Sequence, residues 1–246
     1  MGQGGDNQEA IGASAGPRRS IATREGETRA AAAFEALRRD IIGGVLAPGS
    51  RLRIEHLSRS YGVGATPLRE ALQRLSSEGL VLASDNRGFA VTPLRLDEFA
   101  DLTIARIAIE REALRLSIRN GDGEWEAGLV AAAWRLARQD EALREDADAA
   151  MDAWERANVA FHQATVSACG SSWLLRVRSQ LSVQAERYRR ASVYLRRVSR
   201  NLAAEHAAIA EAALDRDIDR ACDLVERHFE ATARFLEPEL RQRDLA

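Results

Sequence analysis

The sequence predicts a mainly α protein in two parts: a winged helix-turn-helix over residues 27–94 and an all-α antiparallel helical bundle over residues 95–237. Three observations lead there. Residues 31–80 hold three short amphipathic segments separated by glycine turns. Two β-prone runs follow around a polar turn. From Leu96 on, apolar residues recur at helical spacing with only short breaks, which implies an antiparallel bundle. Residues 1–26, rich in Gly, Ser, Ala and charge without periodicity, read as a disordered arm, and residues 238–246 as a tail.

The N-terminal part is justified element by element. Ala31–Ile42 places Phe34, Leu37, Ile41 and Ile42 on one helical face, and Gly43-Gly44 stops it. Leu46–Ser50 is a turn, Ile54–Tyr61 a short helix, and Gly62 the turn after it. Thr66 is expected as an N-cap with Pro67 at the first helical position, where its missing N–H is harmless. Leu68, Leu72, Leu75 and Leu80 then face inward while Arg69 and Arg74 face out. Leu80–Ala83 and Phe89–Thr92 form a hairpin around Ser84–Gly88. A helix that begins on a turn and offers an arginine in its first turns suits insertion into the DNA major groove. Thr66, Arg69, Arg74 and the wing residues Asn86, Arg87 and Gly88 are the candidate DNA contacts.

In the second part, helices are expected at about 97–119, 124–143, 147–168, 172–196, 200–214 and 217–237, with Asp97 and Ser171 as caps. Trp125, Trp134, Trp154 and Trp173 lie in helical register and read as core or packing residues. Three histidines, His162, His206 and His228, fall on three of these helices, and Asn158 shares a face with His162. Such a set can hold a divalent metal, since imidazole suits Zn, Ni, Cu and Fe; the alternative is a cluster of hydrogen-bonded pocket histidines. Arg106 lies among apolar residues on the first bundle helix and needs a partner, either Glu110 four residues on or an anionic ligand. Arg187, Tyr188 and Arg190 could add a second basic wall, because arginine grips carboxylates with two parallel hydrogen bonds.

Bulk properties set outer bounds. The 246 residues are 46% hydrophobic and 29% charged, with a formal charge of −2, so no global basic field points to nucleic acid. The charge is uneven: residues 18–92 hold 12 arginines against 8 acids, residues 93–246 hold 23 against 27. A mildly basic front and acidic back fit a nucleic-acid-binding part joined to a part with other work. Cys169 and Cys222 are too few to staple the chain and are expected in the core, in a reducing cytoplasm. The first 17 residues lack the apolar stretch of a signal peptide, and no run approaches the roughly 20 residues of a membrane span.

The two parts together resemble the GntR family of bacterial transcription regulators, in the FadR-like branch with an all-helical, ligand-sensing FCD domain. The resemblance rests on Pro48–Leu52, Gly62-Val63, Thr66–Leu72, Arg74-Leu75 and Glu78–Val81, in order and spacing. It implies a homodimer, a palindromic double-stranded DNA operator and control by a small metabolite. It also implies that His162, His206 and His228 bind a metal, Zn or Ni, together with an aspartate whose position is held here by Asn158. Two departures stand out. The recognition helix starts Gly64-Ala65-Thr66-Pro67 where the family usually has Ser-Arg-Thr-Pro, so a bidentate guanine contact worth roughly 1–3 kcal/mol is missing. Asn158 leaves the metal site one unit more positive. Trp173–Leu175 and Glu186–Arg189 look similar to carbon-starvation-induced regulators, which makes a small organic acid, a dicarboxylate in particular, the implied effector.

Two rival readings follow from the same residues. A three-histidine site with an open metal position could activate water in a hydrolytic enzyme, although no acid stands beside the histidines in a recognisable base motif. A winged helix could also serve protein contacts rather than DNA.

Overall fold

The computed structural model describes residues 26–84, 88–191 and 200–244. Helix α1 (Arg29–Ile42) is capped by Thr28, whose hydroxyl accepts from the Ala31 amide. Strand β1 (Arg51–Leu52), helix α2 (Ile54–Tyr61), helix α3 (Ala65–Ser77) and strands β2 (Val81–Ser84) and β3 (Gly88–Val91) complete a winged helix-turn-helix. The antiparallel sheet has the order β1-β3-β2, with Leu52 opposite Phe89 and Val81 opposite Val91. Strand β1 was not expected; two residues are too few to show a period of two. Phe34 and Leu37 from α1, Leu57 and Tyr61 from α2, and Leu68, Leu72 and Leu75 from α3 close the core. Tyr61 donates to the buried Asp40 carboxylate beneath α2. Gly62 ends α2 at φ 68°, the left-handed turn that sets the angle to α3.

Helix α3 corrects one expectation. It starts at Ala65, with Gly64 in the cap position and no side-chain cap bond, so Thr66 lies inside the first turn. Proline is tolerated at Pro67 for the reason it would be one or two positions earlier: the first four helical N–H groups have no intrahelical partner. The Thr66 hydroxyl is therefore not used as a cap.

The bundle comprises α4 (Leu96–Asn120), α5 (Gly123–Glu145), α6 (Ala147–Val166), α7 (Ser172–Ala191), α8 (Leu202–Leu214) and α9 (Ile218–Asp244). Asp122, Asp146, Ser171 and Asn201 each accept a hydrogen bond from an amide three residues on. Asp97 does not cap; it lies within α4 and pairs with Arg95. Helix α4 packs on α7 and α9, and α5 on α6 and α8. Trp125 and Trp154 are buried as expected, but Trp134 and Trp173 are 61% and 69% exposed, each beneath an arginine, Arg138 and Arg176. Both cysteines are buried and free. Residues 192–196, expected in the helix after 172, lie outside the described residues. Helix α9 runs through Pro238 to Asp244 where a tail was expected; Leu236 and Leu240 are buried against Leu94, Phe99 and Tyr188, which holds the helix past its proline.

The same α7 that packs on α4 also holds the winged-helix part. Gln184 donates to the Glu78 carbonyl at 2.7 Å. Arg187 donates to the Thr92 carbonyl and to Gln184. Tyr188 stacks on Phe99 at 4.4 Å, donates to Glu98 at 3.0 Å and accepts from the Arg95 amide. Val183 packs into the winged-helix core. Among the described residues no helix is long and apolar enough to cross a membrane.

Candidate functional site

The outward face of α3 is built by simple periodicity. Leu68, Ala71, Leu72 and Leu75 are buried, which turns Thr66, Arg69, Glu70 and Gln73 to solvent. The unpaired amides and positive dipole end at its start suit a phosphate. Arg74 is exposed but has its guanidinium 4.2 Å from the Phe34 ring centroid, so α1 fixes its position. Gly88 opens β3 at φ 75°, a conformation that favours glycine at the wing. Asn86 and Arg87 lie outside the described residues. Gln73, one turn after Arg69 on the same face, is a further candidate reader that the sequence spacing already contained; glutamine pairs with adenine as arginine does with guanine.

In the bundle, α6, α8 and α9 bring His162, His206 and His228 together. One ring nitrogen from each lies within 4.8 Å of the others, and all three rings are buried. His206 Nδ1 meets Asp140 at 2.9 Å and His228 Nδ1 meets Glu205 at 2.8 Å. A carboxylate accepts, so each Nδ1 carries a proton, and in the neutral ring Nε2 then keeps a lone pair. His206 Nε2 and His162 Nδ1 are buried with no hydrogen-bond partner. Orphaned ring nitrogens are costly in a core and fit a metal ion as the missing partner. Three imidazoles with converging ring nitrogens are a donor set that suits zinc or nickel.

Sequence reading did not single out Asp140 and Glu205, the carboxylates that hold His206 and His228. Asp140 sits in the apolar row of α5 with Leu129, Leu136 and Leu143, an interruption visible in the sequence. Glu205 does leave the His206 face, but it turns onto His228.

Burial, followed by the proximity of His228 and His206, pushes the His162 imidazole well below its ordinary value. Burial also lowers His228 to about 4, with the Glu205 bond opposing it. Burial works against ionisation of Glu205, yet the bonds from His228 and Arg200 hold its carboxyl at about 2. His162 and His228 are therefore neutral at physiological pH, the form that ligates.

Beside the histidines is a narrow cavity lined by Arg106, Asn158, Arg189, Arg200, Thr232 and Trp154 among others. At its centre it has room for little more than one water. Arg189 holds Glu155 at 2.9 and 3.0 Å, and Arg200 is paired to Glu205. Arg106 differs. Its expected partner, Glu110, is taken bidentately by Arg178 at 2.7 and 3.0 Å. Arg106 itself lies over the Phe229 ring at 4.1 Å, with neither ion pair nor hydrogen bond among the described residues. Burial, then the nearby Arg189 charge, pull it down to about 9, still protonated at neutral pH.

Arg187 and Tyr188, expected in this pocket, do not line it; they turn to the junction with the winged helix. The helical period explains the miss, since Arg189, one residue on, faces the cavity instead. Arg190 pairs with Asp152 and Glu186.

Residues 29–91 match the family described as bacterial regulatory proteins, gntR family, and residues 101–231 match the FCD domain. The chain belongs to the GntR family. It is 46% identical over 201 residues to the HTH-type transcriptional regulator BphR of Paraburkholderia xenovorans (strain LB400), covering 82% of each chain. It is 34% identical to the HTH-type transcriptional repressor GlaR of Escherichia coli (strain K12), covering 79% of this chain and 90% of that one. In fold it is similar to E. coli McbR/YncC, with a TM-score of 0.70 at 19% identity over 86% of this chain and 98% of that one. A GntR regulator from Rhodococcus sp. RHA1 gives a TM-score of 0.69 at 22% identity, over 85% and 97%. This GntR protein is thus a DNA-binding transcription regulator with a helical effector domain, and the hydrolase reading has no support.

The histidines of this GntR regulator give its metal-free form a defined pH response. The His228 imidazole titrates near 4 when folded and near 6.5 when unfolded. Between those values the unfolded chain binds more protons, so stability falls as pH drops from 6.5 towards 4 and is flat above. For His228 alone the loss is roughly 3 kcal/mol. Denaturant midpoints of chelator-treated protein across this range check it; a midpoint unchanged down to pH 4.5 refutes the neutral assignment.

Proposed function

We propose that this GntR regulator represses transcription as a homodimer on a palindromic operator, and that an organic acid entering the bundle releases it. The observation that carries this reading is Arg106: among the described residues it is the arginine of the cavity wall that no carboxylate pairs, while Arg189 and Arg200 each have one. A buried guanidinium without a counter-charge is destabilising, and a bound carboxylate supplies that charge in bidentate geometry. A divalent ion, zinc or nickel, held by His162, His206 and His228 with Asn158 beside them, gives a Lewis-acid anchor for a second carboxylate. A dicarboxylate fits both anchors. The cavity must open to admit it, since the space in the present arrangement is close to that of a water molecule.

Helix α7 is the route by which occupancy reaches DNA. Arg189 stands in the cavity wall, and Arg187, Tyr188 and Gln184 in the preceding turns hold Thr92, Arg95 and Glu78 of the winged-helix part. An opening of the cavity that displaces Arg189 shifts the seat of the DNA-binding head. In a dimer the two heads must match half-sites about one helical turn apart, so a small reorientation lowers affinity. The name of GlaR, a repressor, supports the sign.

Three measurements test this reading. Arg69→Ala weakens binding to the protein's own upstream DNA by roughly 1–3 kcal/mol in a gel-shift titration, with circular dichroism unchanged because the residue is exposed; unaltered affinity removes Arg69 from the interface. His162→Ala abolishes metal uptake by elemental analysis, and Glu205→Gln weakens it roughly 10–100-fold; full occupancy in His162→Ala places any metal elsewhere. A thermal-shift screen of organic acids, with and without chelator, identifies a stabilising dicarboxylate whose effect Arg106→Met removes while DNA binding without ligand persists. A normal response in Arg106→Met excludes the arginine as anchor.

A further inference from the structure

On α4 the residues Arg106 and Glu110 stand four apart, the spacing at which an arginine and a glutamate on one helix pair. They do not pair here. Glu110 is 4% exposed and its two oxygens are both taken by Arg178 of α7, at 2.7 Å to Nε and 3.0 Å to Nη2. The remaining guanidinium nitrogen, Nη1, is fixed at 3.0 Å by Gln163 of α6. Arg178 is itself 5% exposed, so two helices clamp it in the interior. Glu110 Oε1 lies 3.9 Å from His162 Nδ1, so its carboxylate also borders the histidine cluster.

We infer that Arg178 is a positioning and specificity-determining residue of the effector site: by holding Glu110 it denies Arg106 an internal counter-ion and keeps that guanidinium open to anions. Without Arg178, the nearest way to neutralise Glu110 is rotation onto Arg106, and the cavity then carries its own carboxylate in place of a ligand's. Neutral or cationic ligands would gain from that exchange and organic acids would lose. The inference rests on Arg106 being the anion anchor, but its central claim, a competition of two arginines for one carboxylate, can be read without any ligand.

The test is a double-mutant cycle in the full-length protein, followed by melting temperature. Arg106→Met in the wild-type background removes an unpartnered buried cation and leaves the melting temperature unchanged or raised. Arg178→Met alone lowers it by a few degrees, because Arg106 takes over Glu110. Arg106→Met in the Arg178→Met background strands a buried carboxylate and lowers it further, on the order of 10 °C. Equal effects of Arg106→Met in both backgrounds overturn the inference. If Arg178→Met does not fold, the cycle is run with Arg178→Gln and with Glu110→Gln/Arg178→Met, in which the Arg106 substitution again becomes harmless; a harmful one there overturns the idea too. A crystal structure of Arg178→Met shows Glu110 on Arg106, and Glu110 left in place refutes it.

Succinate serves as a plain dicarboxylate probe. A succinate-induced shift present in wild type is lost in Arg178→Met and recovered in Glu110→Gln/Arg178→Met. No shift in wild type counts against the effector reading, while the ligand-free cycle still decides the role of Arg178.

Discussion

The bundle is organised around a buried charge, Arg106, that has no ion pair or hydrogen bond among the described residues. Breaking a buried ion pair by removing one partner costs about 3–5 kcal/mol, so helical interiors normally match each buried cation with an acid. This one does so repeatedly: Arg178 with Glu110, Arg189 with Glu155, and Arg200 with Glu205. Arg106 is set beside those pairs and lies over the Phe229 ring, with no ion pair among the described residues. A cation–π contact in a desolvated site is worth about 2 kcal/mol or more, which eases the burial without supplying a negative charge. The same field acts on the histidines. The Arg178 and Arg106 charges add to burial in lowering His162, which keeps that imidazole neutral and its lone pair available. This excess of positive charge disfavours a proton on His162 and, on the proposed reading, favours anions in the cavity.

That interior is connected to the DNA-binding part by the geometry of a single helix. In α7, Gln184, Arg187 and Tyr188 turn to the winged-helix side while Arg178 and Arg189 turn to the bundle interior. Residues two turns apart on a rigid helix move together, and side chains one residue apart point about 100° from one another. No relay of loops is needed between cavity and junction. The bond from Arg187 to the Thr92 carbonyl is buried, and burial lowers the guanidinium with partial compensation from Tyr188 and Glu98. A shift of α7 therefore has to move the linker or break a buried hydrogen bond.

Much of this was legible in the chain, and the rest fails for identifiable reasons. The recognition helix, the wing and six bundle helices follow from periodicity and turn residues, which are local properties. Strand β1 escaped because two residues carry no pattern. Thr66 was read as a cap because threonine before proline is a good start signal, yet Gly64 took the position. Arg106 and the three histidines were found because a charged or polar residue in an apolar row is conspicuous. The carboxylates on the histidines were not found, since Asp140 and Glu205 reach His206 and His228 by tertiary contacts between helices, and the same holds for Arg178 on Glu110 and Arg189 on Glu155. Arg187 and Tyr188 were assigned to the wrong side of α7, for a cluster of basic residues on one helix does not say which of them faces the core.

Asn158 gains its meaning from this charge arrangement. Both it and Arg106 line the cavity. An aspartate at that position would bring a negative charge into the space that Arg106 faces and would offer the guanidinium a counter-charge from the protein itself. Asparagine keeps an oxygen for a metal but withholds the charge. On the proposed reading, a divalent ion adds its charge to that of Arg106, and an aspartate in place of Asn158 would offset one unit of it. In an interior of effective dielectric near 20, a unit charge at about 4 Å is worth roughly 4 kcal/mol. On the proposed reading, asparagine at this position favours more highly charged acids, and a dianion gains more from it than a monoanion does.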